Sequence, residues 1–280
     1  MNAYNLATPG PTGQMSRTTF AGFRALIYRL SGIALGEGKE GLVRARVSKR
    51  MRLLGIQDYG AYLDHLLSDP SGDEIIHLLD VISTNVTSFF REESHFQALS
   101  GIARRWGSER RTRLRLWSAA CSTGEEAYSM AVTLLEAWEG RPLDLKILAT
   151  DLSTRALARA RAGLYGADKV ASIPRDFRAR YFEKDDRHPS MLRVGRDLRT
   201  AVTFARLNLA GTPFPMSGPF DAVFCRNVMI YFDAEVRRRL LAQILKLLRP
   251  GGYLFVGHSE SLSGLTAGLK TVQASVYVKS

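Results

Sequence analysis

Two adjacent glutamates behind a run of small residues are the chemically most telling feature of this 280-residue chain. Trp117 to Ser129 reads WSAACSTGEEAYS. The alternating run before it predicts a strand over Leu114–Ala120. Tyr128, Met130, Ala131, Leu134, Leu135 and Trp138 recur behind it with helical spacing. A strand, a turn of small residues and a helix N-terminus let a ligand approach backbone closely. Glu125 and Glu126 follow at once and would repel a pyrophosphate there. A ligand carrying a positive amine or sulfonium suits them better. The turn therefore points toward S-adenosylmethionine rather than NAD or ATP.

Other polar residues fall where strands end. Asp151 closes ILATD, where an acid binds both ribose hydroxyls of a nucleoside or caps the next helix. Asn208, in FARLNL, is placed to read adenine or to shape a turn. FDAVFCRNVMIYFD leaves Arg226, Asn227 and Tyr231 beyond the carboxyl end of a buried strand, where ligands of such sheets bind. Asn85, Thr87 and Arg91 alternate with apolar residues in NVTSFFR, as a lid over a cleft or as an ordinary helix start. His258 in GHSES follows the last core strand, beside Ser259 and Glu260, which resemble capping residues. In KEGLVRARVSKRMR, Arg46 and Arg50 lie one helical turn apart, and Lys49 and Arg52 share a nearby face. Glu40 is the single acid in that run, so the cluster predicts an acidic partner.

These residues need elements to hold them. Residues 1–17 read as a disordered lead-in. Residues 18–83 read as a helical domain. Its apolar positions are Phe23, Leu26, Ile27 and Leu30, then Leu42, Val43, Val47, Leu53 and Leu54. Two further helices begin near Asp58 and Asp73. Residues 84–110 read as a linker and lid. From 111 to 280, strands at Leu114–Ala120, Leu145–Asp151, Val202–Arg206, Asp221–Cys225 and Tyr253–Val256 alternate with helices. That alternation predicts a doubly wound, mainly parallel α/β sheet closed by a hairpin, Leu269–Val272 with Ser275–Val278. A helix over Ala234–Leu248 is expected to stop at Arg249-Pro250-Gly251-Gly252. The polar stretch at about 183–201 interrupts the alternation and reads as a small β-insertion.

Composition narrows the class. The net charge of +12 implies a polyanionic partner: nucleic acid, anionic lipid or an acidic protein surface. The basic helix lacks aromatics for base stacking, which argues against single-stranded nucleic acid. No apolar run reaches the roughly 20 residues that span a bilayer, and the first residues lack the pattern of a signal peptide. Cys121 and Cys225 read as reduced, buried thiols of a cytoplasmic protein. No Cys/His spacing predicts a metal site.

NVTSFFR, SAACSTGEEAYS, ILATDLS, FCRNVMIYFD and LLRPGGYLFVGHSES, in this order, resemble the CheR chemotaxis receptor methyltransferases. The resemblance runs from about Phe20 to Val278. It implies a class I S-adenosylmethionine-dependent methyltransferase, a Rossmann-like sheet with an all-helical N-terminal domain and a small inserted β-subdomain. It also implies methyl transfer to glutamate side chains on cytoplasmic helices of chemoreceptors, leaving S-adenosylhomocysteine. Cofactor contacts are then implied for Asn85, Thr87, Arg91, Glu126 (with Glu125 as the alternative acid), Asp151, Asn208, Leu209, Arg226 and Asn227. Arg91 and Tyr231 would lie near the transferred methyl as catalytic residues. Arg46, Lys49, Arg50 and Arg52 would dock on the receptor. The β-subdomain of some members binds a receptor C-terminal peptide, but the charged EKDDRHPSM departs from that pattern. A monomer without nucleic acid, metal or membrane insertion is expected. The competing readings are an RNA methyltransferase and a non-catalytic cofactor-sensing module.

Overall fold

The computed structural model describes residues 13–262, 264 and 268–280, and the chain divides into two compact units, residues 1–84 and 85–280. Residues 1–12 of the expected lead-in lie outside the described residues. Met15 is buried and Ser16 caps the first helix through the Thr19 N–H, so order begins before Arg17.

Among the described residues, the first unit holds four α-helices: α1 (Arg17–Ser31), α2 (Glu40–Leu54), α3 (Tyr59–Ser68) and α4 (Asp73–Ile82). Asp58 caps α3 by accepting from the Ala61 N–H. The buried stripe of α2 is Val43, Val47 and Met51, spaced four apart, and each buried side chain of this kind contributes about 1.5–3 kcal/mol. Leu42, Leu53 and Leu54, expected in that core, are exposed because the stripe is narrower than the apolar spacing suggested.

The basic face of α2 is not one-signed. Glu74, buried on α4, accepts from Arg50 Nε at 3.0 Å, Arg50 Nη2 at 2.6 Å and Tyr62 Oη at 2.7 Å. Arg46 donates to the Ile82 carbonyl and to Thr84 Oγ1. Two of the four expected docking residues are thus internal ties of the helical unit. The acid that pairs Arg50 is 24 positions away, beyond any local charge count. Lys49 and Arg52 remain exposed.

In the second unit α5 (Glu93–Ser108) precedes β1 (Arg113–Ser118), α6 (Glu125–Trp138), β2 (Asp144–Asp151) and α7 (Thr154–Ala162). Then come β3 (Leu164–Gly166), α8 (Ala167–Val170), α9 (Arg175–Tyr181), β4 (Phe182–Lys184), β5 (Met191–Val194) and α10 (Arg196–Ala201). β6 (Val202–Arg206), β7 (Phe220–Cys225), α11 (Ala234–Leu247), β8 (Leu248–Val256), β9 (Leu269–Gln273) and β10 (Val276–Lys279) complete it. The main sheet has the order β6-β2-β1-β7-β8-β10-β9, with β6 through β8 parallel and β10 and β9 antiparallel. β7 is buried along its whole length, as a central parallel strand must be.

Three boundaries differ from the sequence reading. α5 is not linker: Phe96, Leu99, Ile102, Ala103 and Trp106 sit in the core of the α/β unit. The small sheet, β3-β5-β4, starts at Leu164, ahead of the polar stretch, and Arg196–Ala201 is a helix beyond it. The Arg249-Pro250-Gly251-Gly252 turn lies inside β8, where the pairing jumps from Phe220↔Leu248 to Ala222↔Tyr253. The charged hairpin between β4 and β5 is closed on itself. Asp185 accepts from His188 and from Arg193, which hold its carboxyl down to about 2.

Candidate active site

The chain passes outward from β1 to β2 and β6, then returns to lay β7 and β8 on the other side of β1. The connections therefore diverge between the carboxyl ends of β1 and β7, which opens the crevice where doubly wound sheets bind ligands. Ser118 ends β1, and Arg226 and Asn227 follow β7.

The small-residue turn is tied across the sheet. The Ala119 N–H donates to the Phe224 carbonyl and the Cys121 N–H to the Thr150 carbonyl, each at 2.8 Å. Gly124 has φ +98°, and a Cβ there would sit 2.9 Å from Ala160 Cβ and from Tyr165 Oη. Asp151 braces the turn from β2: Oδ2 accepts from the Ser122 N–H at 2.8 Å and Oδ1 from the Ser153 N–H at 2.9 Å. The helix cap is Ser153, not Asp151, since Ser153 Oγ accepts from the Ala156 N–H.

Both glutamates of α6 are buried, and their partners differ. Glu125 accepts from Thr123 Oγ1 at 2.6 Å and has Lys169 Nζ at 3.9 Å. Glu126 accepts from Ser118 Oγ at 2.7 Å and Arg226 Nη1 at 3.0 Å, at the divergence point itself. Burial pushes the Glu126 carboxyl up, against the pull of Arg226 and Ser118. Arg226 also donates to the Arg91 carbonyl and to Glu92 Oε2 at 3.1 Å. Two carboxylates against one guanidinium leave this edge acidic. The helix N-terminus is already met by its own acids, so it welcomes a cation and repels phosphate.

The segment ahead of α5 is fastened to the same edge. The Asn85 carbonyl accepts from Ser122 Oγ at 3.1 Å, the Thr87 carbonyl from Lys169 Nζ at 3.2 Å, and the Phe90 N–H donates to Ser129 Oγ at 3.0 Å. Arg91 Nη1 donates to the Val86 carbonyl at 2.9 Å. Asn85, Thr87 and Arg91 are half-buried. Asn208 Oδ1 accepts from the Ala210 N–H at 3.0 Å, a turn contact beyond β6, and Leu209 beside it is buried. Tyr231, half-buried, ends a short 3-10 turn, Met229–Tyr231.

The structure thus joins Glu126, Arg226, the Arg91 carbonyl and, through Glu92, Asn227 in one bonded network at the carboxyl edge, and ties the Asn85 carbonyl to Asp151 through Ser122 in a second. It leaves Lys49 and Arg52 on the helical unit. Sequence reasoning missed Glu92 and gave Glu260 a helix-capping part. Glu260 instead pins loops, accepting from the Asn227 and Gly257 N–H groups at 2.7 Å and from the Ile230 N–H at 3.3 Å. The signal for Glu92 was its place directly after NVTSFFR. His258 is exposed, its Nε2 is 3.1 Å from Ser94 Oγ, and its N–H donates to Glu92 Oε2. Cys121 and Cys225 are free and buried, and burial pushes both thiols up, away from reactivity.

The doubly wound sheet, its divergence point and the acidic edge define an S-adenosylmethionine-dependent methyltransferase. Residues 85–278 match the pattern of the CheR methyltransferase, SAM binding domain, and residues 18–83 that of the CheR methyltransferase, all-alpha domain. The chain is 40% identical to chemotaxis protein methyltransferase 2 of Pseudomonas aeruginosa over 94% of its own length and 93% of the relative's. It is 39% identical to the chemotaxis protein methyltransferase of Escherichia coli, covering 95% of this chain and 92% of that one. The protein belongs to the CheR methyltransferase family.

Proposed function

We propose that this protein transfers methyl groups to glutamate side-chain carboxylates on the cytoplasmic helices of chemoreceptors, forming methyl esters for sensory adaptation. The observation that carries the reading is the acidic crevice edge at Ser118, Glu126 and Arg226, which suits a sulfonium ligand. S-adenosylmethionine supplies an electrophilic methyl when bound. The receptor carboxylate is already ionised at neutral pH, with a reference pKa of about 4.3, so no proton need be removed before attack. The residues have to align nucleophile and methyl and exclude water.

In this reading Asp151 holds the ribose hydroxyls from the carboxyl end of β2. Asn208 and Leu209 border the adenine. Glu126 sits beside the methionine amine, its charge shared with Arg226. Asn85, Thr87 and Arg91 cover the crevice. Arg91 orients the incoming carboxylate and Tyr231 donates a hydrogen bond near the methyl. Lys49 and Arg52 carry the charge complementarity toward receptor glutamates, with Arg46 and Arg50 bracing the helix behind them. The self-paired charges of Asp185, His188 and Arg193 speak against a tether peptide at the β-subdomain. The protein acts in the cytoplasm as a monomer.

Incubation with methyl-labelled S-adenosylmethionine and membranes bearing the organism's own receptors tests the proposal. Label released as methanol by mild base is expected, with mass spectrometry placing it on glutamates. Label that survives base refutes ester formation.

A further inference from the structure

Glu92 is unassigned by any of the reasoning above, yet its carboxylate meets groups from two loops at the carboxyl edge of the sheet. Its Oε1 accepts from Asn227 Nδ2 at 3.0 Å. Its Oε2 accepts from Arg226 Nη2 at 3.1 Å and from the His258 N–H at 3.2 Å. Three chain segments therefore meet on one carboxylate: the lid that carries Arg91, the loop after β7 and the loop after β8. The backbone at Glu92 has φ +58°, and Phe90 on the other side of Arg91 has φ +54°. Such left-handed positions cost about 1–2 kcal/mol for residues with a Cβ and persist where the surroundings over-determine them. Arg91 is thus held between two strained residues, with its own carbonyl bonded to Arg226.

We infer that Glu92 is a positioning residue that latches the 85–92 segment to Arg226 and Asn227 and so aims Arg91 into the crevice. The inference rests on the proposed roles of Arg91, Arg226 and Asn227. The carboxylate is suited to the task. Burial pushes it up, but the Asn227 amide and the Arg226 guanidinium outweigh burial and keep it ionised. His95 and His258 flank it, and ligand atoms of the three residues lie within 4.8 Å of one another. A metal ion is the weaker reading of that trio. Both Glu92 oxygens already receive donors, one of them a guanidinium, and His95 Nδ1 stands 3.3 Å from Oε2 without hydrogen-bonding geometry.

Two variants of the full chain separate the carboxylate from the backbone it sits on. Glu92→Gly removes the carboxylate while relieving the left-handed strain, and Glu92→Gln keeps one acceptor but turns an amide N–H toward Asn227. Cofactor titration by calorimetry counts the binding-competent molecules, and turnover on receptor membranes is expressed per competent molecule. The latch predicts a fall of about tenfold or more in kcat for both, since one tenfold step corresponds to about 1.4 kcal/mol, near the worth of one charged hydrogen bond. The KM for receptor is expected to stay within about twofold, because both Glu92 oxygens are turned to Asn227, Arg226 and His258 of the chain itself. A Glu92→Gly protein with kcat per competent molecule within about twofold of the parent overturns the inference. So does a loss accounted for entirely by fewer competent molecules, which marks a merely structural residue. Asn227→Ala, measured beside them, distinguishes the two levels. Unchanged cofactor affinity there refutes the cofactor reading of Asn227. Weakened affinity there, with full turnover in Glu92→Gly, refutes the latch alone.

Discussion

Replacing Arg50 by alanine separates a docking residue from a structural one. Arg50 delivers two nitrogens to Glu74, whose side chain is 5% exposed, while its own is 23% exposed. The variant leaves Glu74 with the Tyr62 hydroxyl as its one remaining partner among these contacts. Breaking a buried ion pair costs about 3–5 kcal/mol, and the partial exposure of Arg50 admits water, which lowers the expected loss to about 2–4 kcal/mol. In the parent, burial pushes the Glu74 carboxyl up, yet Arg50 and Tyr62 more than offset it and the group sits below its ordinary value. Its contribution is therefore present above the ordinary carboxylate range and is lost as pH falls through the lowered folded value. Without Arg50 burial dominates and the folded value rises above the unfolded one. The deficit of Arg50→Ala is then largest near neutral pH and shrinks as Glu74 takes up a proton in acid. Urea unfolding of the full chain, followed by ellipticity at about pH 7 and about pH 5, reads both quantities. A loss below about 1 kcal/mol at neutral pH, or a deficit that grows in acid, refutes the reasoning.

Lys49→Ala and Arg52→Ala, both at exposed positions, are expected to raise the receptor KM severalfold, more so at low salt, with unfolding midpoints unchanged; unaltered KM in the double variant removes α2 from docking. Asp151→Ala is expected to weaken cofactor binding by about 100-fold or more in calorimetry, from lost charged hydrogen bonds of about 1.5–3 kcal/mol each; retained affinity refutes the ribose role. Burial, reinforced by Arg226, pushes His95 down to about 4. The folded protein refuses a proton that the unfolded chain accepts, so His95 costs up to about 3 kcal/mol of stability as pH falls from about 6.5 toward 4. His95→Phe should flatten that part of the pH–stability curve, and an unchanged slope refutes it. Gly257→Ala places a Cβ 2.6 Å from Asn227 Nδ2 and 2.8 Å from Glu260 Oε2; a fall in both melting temperature and turnover is expected, and full activity refutes the tight packing of these loops.

Local pattern determined a good deal. The alternation of strands and helices, the buried run of β7, the closing hairpin, the capping parts of Asp58 and Ser153 and the small-residue turn all arise from neighbours in sequence. The acidic character of the crevice was legible in Glu125 and Glu126, and the family in the order of five motifs. Partner choice was not legible, because it joins residues far apart in the chain. Arg50 reads as a free cation until α4 brings Glu74 beneath it. Glu126 reads as one of two adjacent acids with no cation in sight until the loop after β7 delivers Arg226 from 100 positions away. Burial of α5 against the sheet turned an expected linker into core. Glu92 became a hub only when three segments converged on it, because a carboxylate's role is set by the donors that reach it and tertiary packing alone decides which ones do.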